Sequence, residues 1–163
     1  MMTLGGKAPR TNWEFKCFDS QGNLKWEDGF SNLVVDEGVD YLLTEFFKGA
    51  AYTAAFFVGL KGAGAVAAGD TMASHAGWAD ETVYSNATRP AFTPGAVAAK
   101  AVDNSASPAV FNVNGVLSLS GGFICTDSAK GGTTGTLYAA GDFATARVLG
   151  SGDVLQVTVS VTG

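Results

Sequence analysis

The chain has 163 residues and a net charge of −5, and its hydrophobic residues (47%) far outnumber its charged ones (15%). This length fits one domain with a single core. Its few Lys and Arg residues are scattered, which excludes the basic patch that nucleic acid or an anionic membrane requires, so we expect neither as a partner. A charged fraction well below the usual quarter suits a protein that lies against neighbours, although a sparsely charged monomer fits the composition equally well.

The first part of the chain predicts a free segment followed by a hairpin. Residues 1–11 are polar and contain Gly and Pro, so we expect a flexible arm, with 12–163 forming one domain. Residues 12–27 alternate, turn at DSQGN and return, which is typical of a β-hairpin. One face of this hairpin carries Trp13, Phe15 and Cys17.

Two further features of the sequence concern the compartment. No apolar run approaches 18 residues and the start lacks the apolar core of a signal peptide, so we expect a protein made in a cytosol. Cys17 and Cys125 are too few and too distant to form a disulfide framework or a zinc site. Both are therefore predicted to be free thiols buried on strands.

One segment, DEGVDYLLTEFFKG, predicts an amphipathic helix over residues 37–48. Asp36 is expected to cap its N-terminus and Lys48-Gly49 to end it. Such a helix must pack on a sheet or a neighbour, because each buried apolar side chain contributes roughly 1.5–3 kcal/mol. Its apolar stripe consists of Val39, Leu42, Leu43, Phe46 and Phe47.

After the helix, short alternating segments with glycine-containing turns indicate a mostly-β protein, a β-sandwich. Asn114-Gly115 separates two of these segments and favours a two-residue type I′ hairpin turn, which needs φ > 0 at both positions. The last segment, DVLQVTVSVTG, alternates cleanly and predicts a strand with one buried face. That face consists of Leu155, Val157, Val159 and Val161.

The only histidine lies in GDTMASHAGWADE, residues 69–81, among groups that could act in catalysis. Ser74 and His75 are adjacent and point apart in a strand or a helix, so they cannot form a nucleophile–base pair. No His-x₃-His or Glu-x-x-His spacing supports a metal site, and we expect no metal and no cofactor. We predict a turn anchored by Trp78 and no enzymatic activity. A small hydrolase would instead use Asp70, His75 and Glu81.

Other motifs are weak. Residues 61–69 loosely match the dinucleotide fingerprint, but the following residues break at Gly69 instead of opening a helix, so a loop is favoured. Residues 128–136 contain P-loop letters in the wrong order, which favours a glycine-rich hairpin loop. Four aromatic residues could form a sugar-stacking platform, although on strands they are more often core residues: Trp13, Trp26, Trp78 and Tyr84.

Several stretches, in a fixed order, resemble a group of small structural proteins of tailed bacteriophages. The likeness covers residues 31–163 and lies in NLVVDEGVDYLLTEFF, FFVGL, GDTMASHAGWADETVY, RPAF, DNSASPAVFNVNG and KGGTTGTLYAAGDF, and in the terminal strand. It implies a virion component, most specifically a head decoration (cement) protein on the capsid exterior, with a tail or tail-fibre module as the alternative. Some proteins of this kind have jelly-roll folds, so we predict a jelly-roll β-sandwich, and the likeness supplies no catalytic residues.

The resemblance also implies partners. We expect the major capsid protein and further copies of the same chain, as a dimer or a trimer, to be bound through buried area. The contact surface is expected in the charge-poor C-terminal half, on a hairpin that is apolar on both faces. The residues concerned are Val110, Phe111, Val113, Leu117 and Leu119.

Overall fold

The structure, a computed structural model, describes residues 9–47 and 55–162. Within these ranges the chain forms nine strands and one helix. The elements are β1 (Arg10–Phe18), β2 (Leu24–Leu33), α1 (Asp36–Phe47), β3 (Phe57–Lys61), β4 (Asp80–Glu81), β5 (Ala101–Asp103), β6 (Ala109–Asn112), β7 (Leu117–Cys125), β8 (Leu137–Leu149) and β9 (Val154–Thr162).

The strands form two antiparallel sheets. The five-stranded sheet has the order β2-β1-β9-β5, and β6 also pairs with β9, beside β5. The four-stranded sheet has the order β4-β3-β7-β8. The mostly-β class with one helix is therefore confirmed.

The first hairpin and the last strand form as predicted. β1 pairs with β2 from Arg10 to Phe18 and with β9 along its whole length. The predicted inward residues of β1 and β9 are buried, apart from the half-buried Val161, because alternate side chains of a strand face the same layer. β1 begins at Arg10, so Arg10 and Thr11 belong to a strand and not to the expected arm, and residues 1–8 lie outside the described part.

The main core lies between the two sheets, and a second, smaller core covers the outer face of the four-stranded sheet. Phe15, Phe111 and Val157 of the five-stranded sheet pack in one cluster with residues of the other sheet. Phe123 and Cys125 point the other way and are covered by the 62–79 loop. The four-stranded sheet is thus buried on both faces.

The predicted Asn114-Gly115 hairpin is wrong. β6 pairs with β9 in one sheet, whereas β7 pairs with β3 and β8 in the other, so Asn114-Gly115 crosses between the sheets. Neither residue has a positive φ. The local turn preference is overridden because both strands find better partners far along the chain.

The helix is confirmed with slightly different bounds, Asp36–Phe47, so Asp36 lies in its first turn. It lies close to β8: a Cβ on Gly38 would be 2.4 Å from the Tyr138 carbonyl oxygen, so only glycine fits there. Val39 packs against the main core. The predicted end at Lys48-Gly49 and the side chains of Leu43, Phe46 and Phe47 lie outside what the structure describes.

The sandwich has two distinct ends. At one end, β1 begins, β9 finishes and α1 packs. We name it the groove end, after an apolar groove that is described below. At the other, the far end, β1 finishes at Phe18 opposite Val154, and β7 begins at Leu117 opposite Leu149.

Candidate functional site

Residues 69–79 of the polar segment form a loop on the outer face of the four-stranded sheet, as predicted, whereas Asp80–Glu81 form strand β4. The carboxylate of Asp70 holds this loop together. Asp70 Oδ2 accepts hydrogen bonds from the Ala67 backbone N–H (2.8 Å) and from the Trp78 indole N–H (2.8 Å). Trp78 is buried against Phe123. Asp70 therefore positions the anchoring tryptophan.

His75 stacks on Trp78, with 4.2 Å between ring centroids, and its Nδ1 lies 3.0 Å from the Thr71 carbonyl oxygen. The neighbouring Ser74 exchanges backbone hydrogen bonds with Thr71, which closes a tight turn. The histidine ring is therefore oriented by the turn and the indole. Neither Asp70 nor Glu81 is among the hydrogen-bond partners found for it.

A buried arginine, Arg89, is the centre of a charge cluster that the sequence did not reveal. Its side chain is fully buried, and Nη2 donates to Asp80 Oδ2 (2.7 Å) and to the Gly132 carbonyl (2.9 Å). Nη1 donates to the Asp127 carbonyl (2.8 Å), and the guanidinium lies 5.1 Å from the centre of the Phe123 ring. Arg89 thus joins the segment after β4 to the loop between β7 and β8.

The second buried cation, Lys61, ends β3 and is 0% exposed. It lies in one row with Gly121 of β7 and Asp142 of β8, and its Nζ donates to the Asp142 carboxylate. Gly121 has no side chain, so the lysine can reach across the middle strand. Nζ also donates to the carbonyls of Gly62 and Gly64, which fixes the start of the covering loop.

These ionisable groups bond to one another and to backbone carbonyls. Burial raises the pKa of the Cys125 thiol to about 11, so it stays protonated and is a poor nucleophile at neutral pH. Burial also raises the pKa of Asp80, although Arg89 and the Gly131 N–H stabilise its charged form. The described residues contain no group of three or more His, Cys, Asp or Glu side chains that could hold a metal ion. Arg89 bonds to the Gly132 carbonyl and Lys61 to the Gly62 carbonyl, so the cluster links loops to the sheet.

One detail of the cluster is unusual. Asp80 Oδ1 and Arg89 Nε are buried without a hydrogen-bond partner. Both residues nevertheless make other strong bonds, so each charge is compensated even though one atom of each is left unpaired.

The residues expected to form a partner surface are mostly in the core. Phe111, Val113, Leu117 and Leu119 are 0–4% exposed and belong to the cluster between the sheets. Their predicted role as an interface is therefore corrected: the apolar face on which they lie meets the second sheet. Val110, which faces outward, is 37% exposed.

The aromatic residues weighed as a sugar-stacking platform do not form one on the described surface. Trp13, Trp78 and Tyr84 are at most 6% exposed. Trp26 is half-buried and packs against the main core. These aromatic residues form core contacts, as the more conservative interpretation predicted.

An apolar groove of about 440 Å³ opens at the groove end, between the two sheets. Tyr138 supplies the one ionisable side chain among its described lining residues, and burial raises its pKa to about 12, so the hydroxyl stays neutral. No described side chain there offers a charge. The described lining consists of Leu42, Ala55, Phe56, Phe92, Pro94, Val102, Ile124, Tyr138 and Val161.

A small projecting hairpin, residues 95–103, forms the rim of this groove between Pro94 and Val102. Its tip is closed by two hydrogen bonds of 2.9 Å between Ala98 and Ala101. Both central residues have positive φ, 48° at Ala99 and 63° at Lys100, which is the type I′ pattern built without Gly or Asn.

The same hairpin is exposed and nearly uncharged. Residues 95–100 are all exposed, and Val97 is 76% exposed. The groove and its rim therefore form one apolar surface at a single end of the molecule. Such a surface is typical of a site for another protein or an apolar ligand.

Comparisons with known proteins do not assign this surface. The sequence matches no protein-family model and no curated protein. Across 9–47 and 55–162, no helix has the length and apolar character needed to cross a membrane.

Proposed function

We propose that this chain is a structural protein of a tailed-bacteriophage virion that binds the outside of the head and bridges major capsid subunits. The groove end supports a binding role, because an apolar groove and an exposed rim with only two charged residues, Lys100 and Asp103, lie together there. The phage context and the jelly-roll connectivity rest on the resemblance of residues 31–163.

The physical mechanism would be burial of apolar surface. Each square ångström of apolar area removed from water contributes about 25 cal/mol. The described lining of the groove offers such area without charged side chains that would have to lose their hydration. Val97 is the most prominent anchor, because its side chain is 76% exposed. A partner with a matching apolar projection would fill the groove and cover this rim.

Many weak contacts would suffice in a shell. A copy that touches two or more subunits gains effective concentration, so its total affinity exceeds that of either contact alone. Association of two or three copies of the chain would add to this effect. The low charge of the second half of the chain suits a protein packed among neighbours.

Two of the alternatives, a host-binding tail module and a hydrolase, lose the features that favoured them. A host-binding tail module needs exposed aromatic residues, but Trp13, Trp78 and Tyr84 are buried. The hydrolase needs Asp70 to contact His75, but the bonds found for Asp70 go to the Ala67 N–H and to Trp78.

Electron cryo-microscopy of the virion that carries this chain tests the proposal. We expect density for many copies in a shell-wide lattice on the head, with the groove end directed at the capsid. Density in the tail, or only one to twelve copies, would contradict the decoration role. A lattice that contacts the capsid through the far end would retain that role and overturn the assignment of the groove end.

A further inference from the structure

We infer that Asn114 is a site of spontaneous modification, at which the side-chain amide is lost and aspartate and isoaspartate form. The inference does not depend on the proposed function. Asn114-Gly115 belongs to residues 114–116, here called the crossing, which connect a strand of one sheet to a strand of the other. It is also the only Asn-Gly pair in the chain.

The reaction needs only water and this pair of residues. The backbone nitrogen of Gly115 gives up its proton to solvent and attacks Cγ of Asn114. The bond from Cγ to the amide nitrogen breaks, and that nitrogen takes up a proton and leaves as ammonia. Water then opens the resulting succinimide ring at either carbonyl, which gives aspartate or isoaspartate. Glycine favours the attack because it has no Cβ beside the nitrogen.

The structure leaves the attacking nitrogen free. No hydrogen bond is found from the Gly115 N–H to any described residue. Val113, by contrast, donates its N–H to the Asp153 carbonyl (2.9 Å), and its carbonyl accepts the Gly152 N–H (2.8 Å). The chain is therefore fixed just before Asn114 and unbonded at Gly115.

The side chain that is attacked is free as well. Asn114 is exposed, and none of the side-chain hydrogen bonds found in 9–47 and 55–162 involves it. Asn104, in contrast, is buried, and its amide bonds to main-chain groups of β9 at 2.7 and 3.2 Å. Asn86 bonds in the same way to the main chain of β6, with two bonds of 3.0 Å. Asn114 can thus turn its amide carbon towards the next nitrogen, whereas the other two cannot.

Asn112, two residues away, provides a control within the native chain. Its side chain is also exposed, and no hydrogen bond is found for it within the described ranges. The next residue, however, is Val113, whose N–H is bonded to Asp153 and whose branched side chain shields the nitrogen. Of these two asparagines, only Asn114 precedes a free nitrogen, so only Asn114 is expected to react.

The modification changes the far end in two ways. A new carboxyl group is ionised at neutral pH, so the net charge moves from −5 to −6. Isoaspartate also inserts one carbon into the main chain between Val113 and Leu117, which pairs with Leu149 in the other sheet. The crossing has little room for this carbon, because even a Cβ on Gly115 would be 2.8 Å from Val83 Cγ1. We therefore expect isoaspartate to destabilise the crossing.

Ageing of the purified protein at pH 8, followed by peptide mass spectrometry, tests the inference. Asn114 should gain about one dalton, the difference between an NH₂ and an OH group, while Asn112 stays unchanged in the same peptide. The matched control is Asn114→Gln, because the longer side chain cannot close the five-membered ring. The free peptide FNVNGVL, residues 111–117, gives the rate of an unrestrained pair, and the folded chain should react at a rate within severalfold of it.

Each outcome decides. Modification at Asn114 with Asn112 intact, at a rate near that of the peptide, supports the inference. A folded chain that stays unmodified while the peptide reacts would show that the crossing protects this pair, and would overturn it. Equal modification of Asn112 would overturn it too, because the free nitrogen at Gly115 would then not decide the site.

A second measurement concerns the effect on the crossing. The aged protein is expected to melt at a lower temperature than fresh Asn114→Asp, which carries the added charge without the added carbon. Equal melting temperatures would overturn the effect assigned to isoaspartate. Neither measurement contains a capsid, so its result and that of the virion experiment can be told apart.

Discussion

The outer face of the four-stranded sheet and the groove end differ in how their side chains are used. On the outer face, charged groups such as Arg89, Lys61 and Asp70 are bonded to loops that cover the sheet. At the groove end, apolar side chains line a groove of about 440 Å³ and an exposed rim. The difference teaches that the conspicuous polar residues stabilise the fold, whereas the surface suited to binding carries almost no charge.

The largest expected effect on stability comes from removing Arg89, the centre of the charge cluster on the outer face of the four-stranded sheet. Arg89→Leu leaves Asp80 as a buried carboxylate without its cation, so we expect a loss of about 3–5 kcal/mol in the free energy of unfolding. Urea denaturation measures it. Lys100→Met, which removes an exposed cation at the rim, should change stability by less than about 0.5 kcal/mol. Similar losses in both variants would remove the distinction between the two regions.

The next largest loss of stability is expected within the four-stranded sheet, where Gly59 packs against Phe123. A Cβ on Gly59 would lie 2.1 Å from the Phe123 ring, so Gly59→Ala must displace that ring, at a cost of about 1–3 kcal/mol. Gly69→Ala is the matched control, because nothing lies within 4 Å of the added carbon. Thermal unfolding of the two variants provides the comparison, and an unchanged melting temperature for Gly59→Ala would show that Phe123 is not held there.

The two buried thiols predict how stability depends on pH. Burial raises the pKa of Cys17 and of Cys125 from 9.0 to about 11, so the folded state holds these protons more tightly than the unfolded state. Their contribution is complete below pH 9 and is lost as the pH rises through about 11, by up to about 3 kcal/mol for each thiol.

Urea denaturation between pH 8 and pH 11 measures this decline. The control is the double variant Cys17→Ala with Cys125→Ala, in which the decline should be shallower. Equal slopes for the variant and the native chain would show that other groups cause it.

At the groove end, a substitution is expected to stabilise. Ala99 and Lys100 both have positive φ, which costs of the order of 1 kcal/mol for residues other than Gly or Asn. Ala99→Asn with Lys100→Gly should therefore raise the free energy of unfolding by about 1 kcal/mol. Asn and Gly introduced instead at Ala67 and Ala68, in a loop without positive φ at these residues, should give no gain. A loss of stability at the hairpin would show that the type I′ geometry is wrong.

The smallest effect is expected at the only histidine. His75→Gln removes the stacking on Trp78 but leaves the bonds of Asp70, so stability should change by less than about 1 kcal/mol. Binding to heads should be unchanged. If the variant instead abolished a hydrolytic turnover while assembly stayed normal, the enzymatic alternative would be favoured.

The parts of the fold that depend on local pattern were predictable. Strict alternation identified the buried face of β9, and the 3.6-residue spacing identified α1. Pairing between distant segments was not predictable, because nothing near Asn114-Gly115 indicates that its two strands join different sheets. The type I′ turn occurs instead at Ala99-Lys100, where the sequence has no preference for it.

Only the low charge of the candidate site could be predicted from the sequence. Low charge suggested an apolar binding surface, but the hairpin expected to supply it is mostly core, and the groove combines residues from Leu42 to Val161. The buried charges of Lys61 and Arg89 depend on partners in other strands and loops, such as Asp142 and the Gly132 carbonyl. A single sequence carries no local signal for such long-range compensation.

The most direct test of the central claim, that the groove end is the binding surface, compares two valines of equal exposure. Val97, on the rim, is 76% exposed, and Val116, at the far end, is 78% exposed, so an aspartate at either position should leave folding unchanged. Sedimentation with heads prepared without this chain measures binding of Val97→Asp and Val116→Asp. We predict at least about tenfold weaker binding for Val97→Asp only, since burying one carboxylate costs more than 1.4 kcal/mol. Equal binding, or a loss confined to Val116→Asp, would contradict the account.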